Sequence, residues 1–191
     1  MFRNIDSLCL GQLRPGDVVF IRVPALLFLK VAEASESWSN HVGVIVGHDG
    51  TDWIIAESCL PCVRRRRFQD FVARSENGSF VIRRLPRPLT EVEQIRLRIA
   101  ADSRMGQLYH TGFRLRSRRQ FCSKFVHEVL AEACGEEIGE VETFETLLRR
   151  NPQTSLRFWR IWFFGRIPWQ RETITPDSLL RSSRLHTLTA S

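Results

Sequence analysis

Ser39-Asn40-His41-Val42-Gly43-Val44-Ile45-Val46-Gly47 is the stretch on which the fold turns. Alternation around Val42, Val44 and Val46 predicts a strand over 41–47. Asp49-Gly50 is a strong turn signal, so residues 53–56 return as the second strand of a hairpin. That strand ends Ile55-Ala56-Glu57-Ser58. Glu57 thus closes an apolar strand beside the start of its neighbour, within reach of His41. Asp52 lies nearer the turn and too far away.

Working outward, Pro15-Gly16-Asp17 is turn chemistry opening a strand over 18–23. Pro24 can start a helix, and 25–37 has helical spacing. Residues 80–84 read as a short strand. Thr90 and Glu93 form a capping box for an amphipathic helix over 90–104. The clearest helix is 121–134, where Phe125, Val126, Val129, Leu130 and Ala133 make one apolar stripe and Gly135 sits at the C-cap. A short helix over 143–150 ends at Asn151-Pro152, and 176–181 reads as a last helical turn. No internal repeat, low-complexity tract or linker breaks the chain. The expectation is one α+β domain over 1–191, with its core at about 13–170 and a C-terminal tail over 171–191.

With 191 residues, 43% hydrophobic and 26% charged, the composition is globular and excludes a disordered or fibrous chain. The net charge of +7 favours anionic partners without choosing among them. Five cysteines, Cys9, Cys59, Cys62, Cys122 and Cys134, give an odd number and no disulfide framework. Free thiols fit a reducing compartment. The first ten residues lack a secretion signal. The apolar stretch 24–29 is far short of the roughly 20 residues a membrane helix needs. The expected location is cytoplasmic.

Cys122 falls in the first turn of the 121–134 helix. The partial positive charge and unpaired N–H groups of a helix start favour a thiolate and suit a developing oxyanion. Lys124 adds positive charge. Taken alone, however, Cys122 fits a buried structural cysteine better, because it borders the apolar stripe. A cysteine nucleophile needs a base. His127 is five residues on, roughly 140° round the helix, and points elsewhere. His48 sits at a turn, His110 in a loop beside Tyr109, and His186 in a polar tail. His41 has a rigid mount on a strand, and Gly43 keeps its face open. Its local surroundings fit a base and a strand-end histidine satisfied by backbone equally well. Glu57 would hold the ring's tautomer and angle; it also fits a solvated strand-end charge.

Pro-Gly-Asp-Val-Val-Phe from 15, Ser-Asn-His-Val-Gly-Val-Ile-Val-Gly from 39, Ala-Glu-Ser from 56, Tyr-His-Thr-Gly-Phe from 109 and Phe-Cys-Ser-Lys-Phe-Val from 121 together resemble the circularly permuted NlpC-type papain-like cysteine hydrolases. The YebB branch, beside the YiiX-like proteins, is most similar. The likeness runs over about 15–169 and its specificity lies in the order and spacing of several motifs. It implies an antiparallel sheet packed against the helix of the catalytic cysteine. It also implies histidine ahead of cysteine, with Cys122 as nucleophile, His41 as base and Glu57 as the orienting residue. Tyr109, the only tyrosine of the chain, would help to form the oxyanion site. The implied reaction is cleavage of an amide or ester bond through an acyl-enzyme, on a peptide-like or acyl-containing substrate, with no cofactor or metal.

Three further signals stand outside that reading. Cys59-Leu60-Pro61-Cys62 is a CxxC after a strand, the context of a redox motif, but 63–67 is a poor helix core and no second CxxC completes a zinc site. Arg64 to Arg67, with Arg114, Arg116, Arg118 and Arg119, form a candidate basic surface for an anionic partner; no motif points to specific nucleic-acid binding. The run 156–169 interleaves aromatics with arginine, as a membrane-surface helix or a lid would. The favoured reading is core or groove wall. A non-catalytic binding module using this basic, aromatic surface is the alternative from another class. Oligomeric state is left open.

Overall fold

In the computed structural model, which describes residues 11–190, β1 is Val18–Ile21, α1 Leu26–Ser35, β2 His41–His48, β3 Trp53–Ser58, β4 Val63–Arg67, α2 Phe68–Val72, β5 Phe80–Arg84 and α3 Glu91–Asp102. The chain continues with α4 Cys122–Cys134, β6 Glu142–Thr143, α5 Phe144–Arg150, α6 Leu156–Trp162, β7 Glu172–Thr173, α7 Pro176–Leu180 and β8 His186–Ala190. Six strands form one sheet in the order β4-β3-β2-β1-β5-β8, with antiparallel neighbours throughout. β6 and β7 pair separately. The architecture is α+β.

Both faces of the sheet are covered, so its central strand β1 is buried at all four positions and reads as a continuous apolar run rather than an alternation. On one face, Phe125, Val126, Val129 and Leu130 of α4 pack with Val18, Phe20, Val42, Val44 and Ala56. On the other, Val19, Ile21, Ile45 and Ile55 meet Phe68 and Phe71 of α2. The stripe on α4 is therefore what docks that helix on the sheet. The capping box at α3 is formed, with Thr90 Oγ1 accepting from Glu93 N–H and Glu93 Oε2 accepting from Thr90 N–H. Gly135 closes α4 at φ 75°, a left-handed conformation that favours glycine.

Two segments differ from expectation. Residues 63–67, a poor helix core, form β4. Val63 is buried and the four arginines alternate between half-buried and exposed, the two-residue period of a strand. Residues past 170 are not a tail: β8 pairs with β5 at the edge of the main sheet, β7 pairs with β6, and α7 buries Leu179.

The aromatic run divides between inside and outside. Trp159 is 2% exposed, with its ring centroid within 5.2–6.3 Å of those of Phe113, Phe144, Phe158 and Phe163. Phe164 is 99% exposed. Among the described residues no helix is long and apolar enough to cross a membrane. Trp159→Ala is expected to cost about 3–5 kcal/mol and to lower the thermal midpoint by about 10 °C. Phe164→Ala should stay within about 0.5 kcal/mol of the parent. Thermal unfolding of the two variants checks the division.

Candidate active site

Cys122 is the first residue of α4. Phe121 before it is extended and makes no side-chain cap, which leaves the orphan N–H groups of the first turn without a side-chain acceptor from that position. Ser123 Oγ donates to the Ile174 carbonyl at 2.7 Å. The buried Lys124 ammonium holds the carbonyls of Ser117 and Arg119 and lies 3.6 Å from Glu128. The lysine ties the preceding loop to the helix start.

His41 opens β2, paired with Ile21 of β1. The approach to it is fixed by hydrogen bonds. Ser39 Oγ donates to the Ile21 carbonyl, and Asn40 both accepts from Val23 N–H and donates to the Val23 carbonyl. The imidazole sits where the two cores meet, edge-on to Phe28 at 5.5 Å on one side and 5.7 Å from Phe71 on the other. Its Nε2 is 2.5 Å from Glu57 Oε2. Its Nδ1 is buried without an aligned hydrogen-bond partner, and the group that acts on the ring besides Glu57 is the Cys122 thiol. Burial alone would lower the His41 pKa; Cys122 and Glu57 outweigh it, and the net direction is up.

Glu57 is fully buried. The register that pairs Val44 with Ala56 brings Gly43 opposite it. The expected open face at Gly43 is instead filled: a Cβ there would lie 2.5 Å from Ile55 Cγ2 and 3.0 Å from Phe71 Cε2. Burial pushes the Glu57 carboxyl up, but the His41 hydrogen bond, the His41 charge and Arg74 hold it well below the usual carboxylate range. Arg74 Nη2 is 2.5 Å from the same Oε2 that meets His41, while Arg64 Nε and Arg66 Nε each lie 3.3 Å from Oε1.

These contacts correct the reading of the arginine run as a surface for anions. Arg64 and Arg66 face inward onto Glu57, Arg65 pairs with Asp102, and Arg67 lies 3.8 Å from Asp49. Arg74 is the functional residue that sequence reasoning missed. It lies 16 positions beyond the end of β3, and only the return of the chain through α2 brings it back over Glu57.

Tyr109 is buried beside Cys122. Burial and the Cys122 thiol raise its pKa, and the Cys122 N–H opposes them through a hydrogen bond to the phenol oxygen. The tyrosine is placed by the CxxC turn. Its N–H donates to the Pro61 carbonyl at 2.9 Å, Cys62 bridges to Leu108, and Tyr109 bridges to Gln120. Cys59 and Cys62 are free thiols, and burial with the nearby Glu57 charge pushes Cys59 up to about 11. That thiol is a poor nucleophile near neutrality. The other histidines lie elsewhere: His127 Nδ1 faces the Ile138 carbonyl, and His110 Nδ1 accepts from Gly112 N–H.

A small, narrow apolar pocket of about 20 Å³ adjoins Cys122, walled by Tyr109, Phe113, Phe144, Leu147, Trp159 and Ile174 among others. A helix-start cysteine, a strand-mounted imidazole ahead of it in sequence and a buried carboxylate behind the ring define a papain-like arrangement in permuted order. The chain belongs to the permuted papain-like amidase family, YaeF/YiiX (C92), which it matches over residues 12–189. It is similar to YiiX of Escherichia coli K12, an uncharacterized protein, at 23% identity over 93% of this chain and 86% of that one. A crystal structure described as metalloprotein YiiX of Escherichia coli O157:H7 shares its fold, with a TM-score of 0.83 and 22% identity over 94% of this chain and 98% of that one. Among the described residues no group of three or more histidine, cysteine or acidic side chains could hold a metal ion.

The buried pair makes stability depend on pH with a definite sign. Glu57 is held below its ordinary 4.5, so its contribution is complete above that value and is lost as pH falls from there through the depressed folded value. His41 is held above 6.5, so its contribution is complete below 6.5 and fades as pH rises past the raised value. Glu57→Gln should therefore cost most between those values, about 3–5 kcal/mol. The gap in thermal midpoint between parent and variant should shrink below pH ~3. A gap independent of pH in a melting series would contradict the charged pair.

Proposed function

We propose that the chain is a cysteine-dependent hydrolase that opens an amide, peptide or isopeptide, or ester bond through an acyl-enzyme on Cys122. The observation that carries the reading is the His41 ring, hydrogen-bonded through Nε2 to a buried carboxylate while its free Nδ1 is left to the cysteine.

In this reading Glu57 fixes the tautomer, with the proton on Nε2 and the lone pair on Nδ1. His41 Nδ1 takes the Cys122 proton, and the sulfur attacks the substrate carbonyl carbon. The Cys122 N–H and the Tyr109 hydroxyl hold the oxygen as it gains charge. Collapse of the tetrahedral adduct breaks the carbonyl–leaving-group bond, and His41 returns its proton to the departing amine or alcohol. Water, deprotonated by His41, then attacks the thioester and releases the acid and the thiol.

Selective alkylation separates this reading from a binding module that only keeps the fold. Iodoacetamide near pH 7 should modify Cys122 first and leave Cys59 untouched. His41→Ala should slow that modification by about 100-fold or more, and Cys122→Ser should abolish acyl transfer from thiol-directed acyl probes mapped by mass spectrometry. Equal reactivity of all the thiols, unchanged in His41→Ala, would leave the binding module as the reading.

A further inference from the structure

A second cleft, open to solvent and about 490 Å³ in volume, lies beside the apolar pocket and is lined by Arg114, Arg116, Thr143, Gln170, Arg171 and Glu172. The two spaces share a wall. Phe113, Phe144 and Thr173 face the pocket, while their chain neighbours Arg114, Thr143 and Glu172 face the cleft. One thickness of backbone, much of it the β6–β7 ribbon, separates them.

The charges in this cleft do not balance. Three guanidinium groups stand against one carboxylate. Arg116 pairs with Glu172 at 2.8 Å. Arg171 donates to the Gly112 carbonyl at 2.8 Å and lies 5.2 Å over the Phe163 ring, contacts that leave its charge without an acid. Arg114 has no side-chain hydrogen bond or ion pair among the described residues. The excess is felt by neighbours: Arg171 is pushed down by burial and then by Arg114. His110 is pushed down by burial and, besides, by Arg171, Arg119 and Lys124. Thr143 is engaged in capping α5 and Gln170 in a bond to Glu145, so the arginines are the groups with donors to give. Clustered guanidinium groups around open space form a site for an anion with several oxygens.

We propose that this cleft is an anion subsite. It takes an oxyanion such as a phosphate group, held mainly by Arg114 and Arg171. The binding of this anion does not depend on the acyl-transfer reading of Cys122.

The test titrates inorganic phosphate into the full chain, followed by calorimetry and by phosphorus NMR line width. Saturable one-to-one binding is expected. Arg114→Gln should weaken it about tenfold, and Glu172→Gln, which removes the competing carboxylate and frees Arg116, should tighten it. Phosphate binding that does not saturate, or that is equal in Arg114→Gln and parent, overturns the subsite. If Arg114-dependent binding is found in a chain whose Cys122 never accepts an acyl group, the hydrolase reading fails and the anion site stands. Acyl transfer without Arg114-dependent binding sinks the subsite alone.

Discussion

A carboxylate with no exposure to water must be hydrogen-bonded on every side or it takes up a proton. Glu57 meets that demand with four donors: the His41 ring and Arg74 on one oxygen, and Arg64 and Arg66 on the other. The site depends on this arrangement. An unsupported Glu57 would take up a proton and lose its charge-assisted hold on the imidazole. The arginines do more than add charge. Arg74 lies 5.1 Å over the Phe71 ring, and Phe71 flanks His41, so the group that orients the carboxylate also holds down the wall of the base. Each arginine keeps part of its guanidinium in water, which limits the desolvation that a fully buried ion pair would suffer.

The sheet explains how residues about eighty apart along the chain meet. His41 has the strand parity of Gly43 and Ile45, which face the α2 side, whereas α4 packs on the other face. A histidine in the middle of β2 would be cut off from Cys122 by the sheet. At the first position of the strand the ring lies at the sheet's end, where it touches Phe28 of one core and Phe71 of the other. The helix needs to present only its first turn there, and the apolar stripe behind Cys122 sets how far along the sheet that turn reaches. The Cys122 thiol is held in place by the same packing that makes it resemble a structural cysteine.

Local chemistry made much of this legible. A cysteine in a helix's first turn, a histidine opening a strand and a carboxylate closing the hairpin partner are visible in spacing, because strand register converts sequence separation into distance. The arginines were not legible. Four in a row read as a basic surface, since nothing in their own segment shows that a buried carboxylate lies on the adjacent strand. β4 was hidden for the same reason: its inward positions carry charge, and the apolar alternation that marks a strand is missing. β6 and β7 span two residues each and have no periodicity to read. The final strand was taken as tail because His186 to Thr189 is polar; it lies at the sheet's edge, where one side of the ladder needs no apolar partner.

The CxxC motif shows how a local signal can be right about geometry and wrong about chemistry. A tight turn between two strands does bring the motif to the site, two residues after Glu57. There its work is done by backbone: the Pro61 carbonyl and the Cys62 bridge hold 108–109 as an extra strap, which sets the tyrosine against the helix start. The same distinction sorts the positive charge of the chain. On β4, Arg64 and Arg66 meet the internal Glu57 and Arg65 pairs with the exposed Asp102, whereas Arg114 and Arg116 on the loop before Cys122 have one carboxylate, Glu172, between them. The net charge of +7 is therefore not an even coat. Part of the excess stands on the loop that leads into α4, outside the charge network that holds Glu57.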